Sequence, residues 1–189
     1  TITINDIIDF SNLQFPAAGT ICETGSFDAY GQIYNIGIVN TPGAGQAAGV
    51  LAQIGYSAAN TNPSGWTNWS NANYNPGVIG NNDEYTGTIS GLTPGTYYYA
   101  FRYQINSCGW QYGGYSASGG GAWGGANVSG VLNVIAAPNA GTDGTVSACG
   151  SGTTVNLLGA LGGTPNTTGT WLGPSPLDNG FQGTYDPIQ

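Results

Sequence analysis

The sequence contains very little charge, and this excludes several classes of function. Only 5% of the 189 residues are charged, with one Lys or Arg against nine Asp and Glu, and there is no His. An ordinary soluble domain has about 25% charged residues. Because no basic cluster can form, we expect no binding to nucleic acid or to an anionic membrane surface. Since His is the commonest general base and metal ligand, we also expect no enzymatic activity.

The chain also lacks the signals of a membrane protein and of a primary translation product. No apolar run approaches the roughly 20 residues of a membrane-spanning helix, so we expect no direct membrane insertion. The opening TITINDIIDF has no Met, no basic segment and no cleavage signature. We therefore expect a mature or excised segment of a secreted polypeptide.

Cysteine is scarce, and its spacing does not suit a metal site. Cys22, Cys108 and Cys149 form no CxxC pair, which argues against zinc or iron–sulfur clusters. A secreted, lysine-free, turn-rich chain indicates an oxidising compartment, where disulfides persist. We predict a Cys22–Cys108 disulfide, whose loop of roughly 86 residues would contribute about 4–5 kcal/mol in the chain-entropy model. The partner of Cys149 would then lie beyond Gln189.

What the sequence does contain is typical of an all-β protein. Its 34 Gly and 10 Pro separate short segments rich in Thr, Tyr, Val and Ile, without sustained helical periodicity. This pattern predicts an immunoglobulin- or fibronectin-like antiparallel β-sandwich. The predicted strands are Thr20–Cys22, Phe27–Tyr34, Gly49–Tyr56, Glu84–Ile89, Thr96–Ile105 and Gly130–Ile135.

A proline- and glycine-containing stretch, AAPNAGTDG, divides the chain in two. We predict a β-sandwich domain over residues 1–135, a linker over 136–143 and a second β domain over 144–189. The last segment is much shorter than a sandwich domain of about 100 residues. We therefore expect the second domain to be incomplete and the protein to continue into further domains.

The rare charges gather in one stretch, GNNDEYTGTISGLTPGTYYYAFRY (80–103), which holds two adjacent acids and the only basic residue. Alternation along its two strands places the aromatic residues on the core face and Glu84 and Arg102 on the outer face. If SGLTPG closes a hairpin with Ile89 opposite Tyr97, the same register pairs Glu84 with Arg102. We predict this structural ion pair, with a ligand-binding role for Arg102 as the alternative.

The start of the same stretch is a candidate calcium site. Asn81, Asn82 and Asp83, with nearby carbonyl groups, could supply several of the six to eight oxygen ligands that calcium prefers. The segment has no EF-hand pattern, and Asn, Gly and Asp are also ordinary turn formers. A solvated turn is therefore the alternative, and calcium is the only cofactor that the sequence suggests.

Several aromatic residues lie among Asn and Gly, a composition found in sugar-binding surfaces. Exposed rings beside amide groups can hold a sugar ring, whereas similar residues also cover the ends of β-sandwiches, with each Trp N–H bonded to a loop carbonyl. The sequence is consistent with both interpretations, sugar binding and packing at the ends of the sandwich. The candidate sugar-binding residues are Trp66, Trp69, Trp110 and Tyr112.

An ordered series of short blocks resembles a known type of domain. The blocks include NLQFPAAGTI (12–21), NNDEYTGTI (81–89), GTYYYAFRY (95–103), WQYGGY (110–115) and SGVLNV (129–134). Together they resemble a β-sandwich domain of secreted and cell-surface proteins of the Bacteroidetes. The following CGSGTTVNLLGALGGTPNTTGTWLGP is similar to the start of a repeat-like adhesin domain from the same bacteria, which export such proteins by type IX secretion.

This resemblance implies a function without catalysis. We expect an extracellular structural or adhesive module of a large cell-surface protein, such as an adhesin involved in gliding motility or a filament segment. Its partner would be a surface glycan or a neighbouring protein subunit. The alternative is a carbohydrate-binding accessory module of a secreted hydrolase.

Overall fold

The computed structural model describes residues 7–39, 45–76, 80–150, 152–173, 177 and 180–188. The chain forms two compact units, Thr1–Ala136 and Ala137–Gln189, which we call unit 1 and unit 2. The division falls at the first residues of the stretch for which the sequence predicts a linker. Each unit is described by itself.

Unit 1 is built from β-strands, which confirms the predicted all-β sandwich fold. All six strands expected from the alternation of apolar and polar residues are present, with ends within about two residues of the prediction. Five short strands had not been predicted. The strands are β1 (Phe10–Ser11), β2 (Ala18–Cys22), β3 (Ser26–Tyr34), β4 (Val50–Ser57), β5 (Asn68–Asn71), β6 (Asn73–Tyr74), β7 (Asp83–Ser90), β8 (Gly95–Ile105), β9 (Gln111–Gly114), β10 (Gly121–Ala122) and β11 (Gly130–Ile135).

The strands form two sheets. The first has the order β1-β3-β7-β6 and is antiparallel throughout. The second is organised around the long strand β8, which pairs with β4 on one side and with β11 and β9 on the other. Strand β5 extends this sheet beyond β4, and β10 extends it beyond β9. Strand β2 pairs with β11 in parallel, whereas the other ladders of the two sheets are antiparallel.

The core lies between the inner faces of the two sheets. Period-2 alternation on β8 directs Tyr99, Phe101 and Tyr103 inward, and all three are fully buried. They meet Tyr85 of β7, whose ring centroid lies 6.3 Å from that of Tyr103. The sheets approach closely where β7 has Gly87, since a Cβ atom there would lie 2.5 Å from a side-chain atom of Ile54.

The predicted Glu84–Arg102 ion pair is wrong, because β7 and β8 belong to different sheets. Glu84 lies opposite Gln32 in the first sheet, and Arg102 lies opposite Gln53 in the second. The connection between β7 and β8 crosses from one sheet to the other and buries Leu92 on its way. Since the inner faces point toward each other, the outer faces carrying Glu84 and Arg102 lie on opposite sides of the sandwich.

The predicted Cys22–Cys108 disulfide is also wrong, and both cysteines are free. Cys22 lies at the end of β2 opposite Ile135, near the first residues of β8, whereas Cys108 follows the last residue of β8. At about 3.3 Å per residue, this strand separates them by roughly 30 Å. A disulfide requires Cα atoms within about 7 Å of each other.

Unit 2 contains little regular structure. Its strands β12 (Val155–Asn156) and β13 (Thr184–Tyr185) form one short antiparallel pair, and 3₁₀ turns cover Leu158–Ala160 and Gly180–Gln182. Among the described residues of unit 2, none of the hydrophobic side chains is buried. Across all the described parts of the chain, there is no helix of the length and apolarity needed to cross a membrane.

Candidate functional site

The outer face of the second sheet gathers aromatic residues around the only basic residue of the chain. Arg102 occupies a polar-face position of β8, between Gln53 of β4 and Tyr112 of β9. Trp69 reaches the same face from the edge strand β5, and Trp110 reaches it from the residue before β9. We call Trp66, Trp69, Arg102, Trp110 and Tyr112 the outer-face cluster.

The guanidinium of Arg102 lies between two indole rings. Its central carbon is 4.2 Å from the ring centroid of Trp69 and 4.1 Å from that of Trp110. Both distances are within the range of a cation–π contact. Desolvation by burial lowers the pKa of Arg102, and a hydrogen bond with Tyr112 opposes this shift. An Arg side chain nevertheless stays protonated in proteins, so the rings enclose a permanent cation.

An amide side chain holds one edge of this guanidinium. Nε and Nη2 of Arg102 donate to Oε1 of Gln53 at 2.8 and 2.5 Å. Nε2 of Gln53 in turn donates to Oδ1 of Asn71 at 2.8 Å. Among the described residues, no carboxylate is one of the groups that shift the pKa of Arg102. The cation is therefore stabilised by two indole rings, by the amide oxygen of Gln53 and by Tyr112.

A glycine provides the space in which Trp69 lies against the sheet. Gly55 is directly opposite Trp69 across the β4–β5 ladder, and a Cβ atom at Gly55 would lie 2.4 Å from Cε3 of the indole. Nε1 of Trp69 donates to the carbonyl of Trp66 at 3.0 Å, and the two rings stack with centroids 6.0 Å apart. Only glycine permits this close approach of ring and backbone.

Trp66 serves as packing and not as an exposed platform. Its ring is only 7% exposed, and its Nε1 donates to Oγ1 of Thr61 at 3.2 Å. Pro63, three residues earlier, is also buried, so this connection folds down onto the sandwich. The prediction that Trp66 offers a free face to a sugar is therefore wrong. The remaining candidates, Trp69, Trp110 and Tyr112, are half-buried.

The structure brings together residues that the sequence had placed in two separate hypotheses. Trp69, Trp110 and Tyr112 come from the predicted sugar-binding set, whereas Arg102 comes from the predicted ion pair. Sequence reasoning missed Gln53. Its polar side chain on the outer face of a predicted strand was the available signal, but the identity of its partner depends on a contact 49 residues away.

On the first sheet, Glu84 is held by amide side chains. It is 5% exposed, and its two carboxylate oxygens accept from Nδ2 of Asn75 at 2.6 Å and from Nε2 of Gln32 at 3.5 Å. Glu84 lies on the non-core face of β7, as predicted, but it is buried there against amide groups and is far from Arg102. Its charge is satisfied locally, as a buried carboxylate requires.

Two of the three predicted calcium ligands, Asn82 and Asp83, have protein partners. Oδ2 of Asp83 accepts from the backbone N–H of Ala47 at 2.8 Å, and Nδ2 of Asn82 donates to Oε1 of Gln32 at 3.1 Å. Desolvation by burial raises the pKa of Asp83, and the Ala47 hydrogen bond lowers it. In the described segments, no three His, Cys, Asp or Glu side chains are grouped as for a metal ion. Calcium binding at Asn81, Asn82 and Asp83 stays a prediction.

Unit 2 carries an open apolar cleft. Its volume is about 470 Å³, and Leu161, Trp171 and Phe181 are among its lining residues. Nε1 of Trp171 donates to the carbonyl of Phe181 at 2.7 Å, which fixes the indole at one side. Asp143 is the only charged residue among the described residues that line the cleft. It is a gap in the packing of unit 2 and carries no arrangement of reactive groups.

The chain matches no known protein-family model, and no curated protein is detectably similar to it. Arguments about its function therefore depend on its own residues.

Proposed function

We propose that this chain is a non-catalytic structural or adhesive module of a large bacterial cell-surface protein, either an adhesin or a filament segment. The observation that carries the proposal is the way the rare charged side chains are used. Arg102, Glu84 and Asp83 are each engaged by side chains or backbone of unit 1. A catalytic site instead needs reactive groups directed at a space where substrate can bind.

The position of Arg102 also suits an extracellular location. With no Lys in the chain, Arg102 is the only site at which a trypsin-like protease could cut. It lies in the middle of β8, half-buried between two indoles and paired with strands on both sides. Cleavage therefore requires that the central strand open, which is the costliest local opening in a sandwich.

Surface labelling and attachment assays test this proposal. An antibody against unit 1 should label intact cells of the source organism, and deletion of the encoding gene should reduce attachment to surfaces or to other cells. Complementation with the unmodified gene is the control. Labelling that appears only after permeabilisation would contradict the proposal, as would an enzymatic activity lost with the gene.

A second candidate function is a carbohydrate-binding accessory module of a secreted hydrolase. The half-buried rings of Trp110 and Tyr112 favour it, because they lie around Arg102, whose guanidinium is also bonded to the amide of Gln53. Rings next to hydrogen-bonding amides are the usual components of a sugar site. Neither ring is in the core of the sandwich.

A glycan array followed by titration of tryptophan fluorescence distinguishes the two candidates. Binding that is lost in Trp110→Ala and kept in Trp171→Ala, a substitution in unit 2, would support the carbohydrate-binding module. No binding across the array, or equal binding by both variants, favours the structural module.

A further inference from the structure

Among the described residues of unit 1, the only parallel ladder joins the N-terminal and C-terminal parts of the unit. Strand β2 begins at Ala18, and β11, which ends at Ile135, is the last strand before unit 2. They are paired over five register positions, from Ala18 opposite Val131 to Cys22 opposite Ile135. Chain tension pulls β2 from its N-terminal end and β11 from its C-terminal end. Because the strands are parallel, these two pulls are opposite in direction along the strand axis.

This geometry loads the ladder in shear. The terminal bonds run from Val131 N–H to the Ala17 carbonyl and from Glu23 N–H to the Ile135 carbonyl, both at 3.0 Å. A parallel ladder has evenly spaced bonds between such ends. When opposite strand ends are pulled apart, every bond bears force at once. In a hairpin pulled from its open end, by contrast, the bonds break one after another.

The contacts of the segment before β2 do not carry the load in place of this ladder. It is bonded to β3 by the N–H groups of Asp9, Asn12 and Gln14, which donate to carbonyls of Tyr34, Gln32 and Tyr30. It then crosses to the other sheet and continues directly into β2. If tension removes this segment, only the residues before Ala18 are released, and the load then reaches Ala18.

We infer that unit 1 bears tension along the chain and that the β2–β11 ladder is its mechanical clamp. The inference rests on the proposed function, since a module in a surface adhesin or filament transmits force between its ends. It adds the structural element that resists this force. Unit 2 has no corresponding element in its described residues, where β12 and β13 are an antiparallel pair with two register positions.

Single-molecule pulling of the full chain from its two ends tests the clamp. Release of the chain between Ala18 and Ile135 should add on the order of 400 Å, and release of unit 2 on the order of 180 Å, so the two events can be identified by length. We expect the longer event at a force well above the shorter one. A unit 1 event at or below the unit 2 force would overturn the inference.

A proline in the clamp provides the decisive variant. Asn133 is exposed, and its N–H faces β2 in the alternation that also directs the Val131 N–H to the Ala17 carbonyl. Asn133→Pro removes this bond without removing a core side chain, and the high-force event should be lost. Asn133→Ala keeps the backbone bond and should retain the event.

Two further prolines control for general destabilisation. Thr20 lies on β2, but the register directs its N–H away from β11, so Thr20→Pro should leave the unfolding force unchanged. Ser70 N–H bonds to the Ile54 carbonyl, by alternation from the Ala72–Ala52 bond. Ser70→Pro should therefore lower the melting temperature of unit 1 and leave its unfolding force high. Equal loss of force in Ser70→Pro and Asn133→Pro would overturn the inference.

Different measurements contradict the clamp and the proposed function. A low unfolding force of unit 1 contradicts the mechanical clamp and says nothing against the surface labelling and attachment results. Labelling that appears only after permeabilisation contradicts the proposed function and does not change the measured unfolding force. If Asn133→Pro does not fold, as judged by circular dichroism, the comparison of the two events in the unmodified chain decides alone.

Discussion

Units 1 and 2 have similar residue types but very different interiors. Unit 1 fully buries Tyr99, Phe101 and Tyr103 between two sheets. In the part of unit 2 that the structure describes, the apolar side chains stay at least partly accessible, and Leu172 is 96% exposed. Both units are rich in Gly, Thr and Asn and nearly free of charge. The difference shows that a closed core depends on paired sheets that cover each other, which composition alone does not provide.

The two units also use tryptophan differently. In unit 1, Trp69 is held by Gly55, Trp66 and Arg102 in a cluster on the outer face of the sheet. In unit 2, Trp171 lines an open cleft and has one hydrogen bond, to the Phe181 carbonyl. Unit 1 therefore has two packed layers of aromatic residues, one inside the sandwich and one on its surface.

The largest expected effect comes from the core of unit 1. Phe101→Ala removes a fully buried ring and should cost about 3–5 kcal/mol, because the cavity cannot close between two sheets. Trp171→Ala, the matched substitution in unit 2, removes a half-exposed ring and should change the main unfolding transition by less than about 0.5 kcal/mol. Urea unfolding followed by circular dichroism measures both. An equal loss would show that unit 2 contributes to the same cooperative core.

The next effect concerns the surface layer of unit 1. Gly55→Ala places a methyl group within 2.4 Å of the Trp69 indole, and overpacking of this kind costs about 1–3 kcal/mol. The indole cannot move freely, since Arg102 and Trp66 hold it on other sides. Gly65→Ala is the control, because a Cβ atom there meets no atom within 4 Å. Thermal unfolding should separate the two variants, and similar melting temperatures would show that Trp69 is loosely held.

The sequence predicted the faces of strands well but not the partners of residues. Alternation along β8 correctly assigned Tyr99, Phe101 and Tyr103 to the core, because the direction of a side chain on a strand is a local property. The partner of Arg102 is not local. A hairpin and a crossing between sheets both satisfy the same alternation, so the Glu84 pairing failed. The Cys22–Cys108 pairing also required a non-local contact, and it failed because the two residues lie near opposite ends of β8.

The candidate site was predicted only in part. Trp69, Trp110 and Tyr112 were identified by residue type, whereas their convergence on Arg102 depends on β5 and β9, two short strands that the sequence did not indicate. Strand β5 reads NWSN, and Asn is disfavoured in strands. Tertiary pairing with β4 overrides this propensity. The burial of Trp66 likewise depends on how a long connection folds.

A third prediction tests whether Arg102 is held by ring planes or by charge. Arg102→Lys keeps the charge but loses the planar group between Trp69 and Trp110, and it should destabilise unit 1 by about 1–2 kcal/mol. Because no carboxylate among the described residues holds the guanidinium, the loss should persist at high salt, where surface ion pairs are screened.

A double-mutant cycle with Glu84→Gln sharpens this test. The two residues lie on opposite outer faces of the sandwich and share no partner, so their effects should add within about 0.5 kcal/mol. Urea unfolding of the four proteins gives the coupling energy. A substantial coupling energy that weakens with salt would support a Glu84–Arg102 ion pair and contradict the arrangement of the two sheets.

The smallest effect is a pH dependence at the start of β7. Desolvation by burial raises the pKa of Asp83 above its ordinary value of 3.8, despite the opposing hydrogen bond from Ala47. Between the ordinary and the raised pKa, the folded protein binds a proton that the unfolded chain does not. The free energy of unfolding should therefore fall as the pH rises through this window.

In Asp83→Asn the amide oxygen can still accept from Ala47 while the charge is absent, so this contribution should vanish. Urea titrations of both proteins between pH 3 and pH 7 measure their free energies of unfolding. We expect Asp83→Asn to become increasingly more stable than the unmodified protein as the pH rises. If the difference in stability between the two proteins is the same at every pH, the pKa of Asp83 is the same in the folded and unfolded states, and the raised pKa is contradicted.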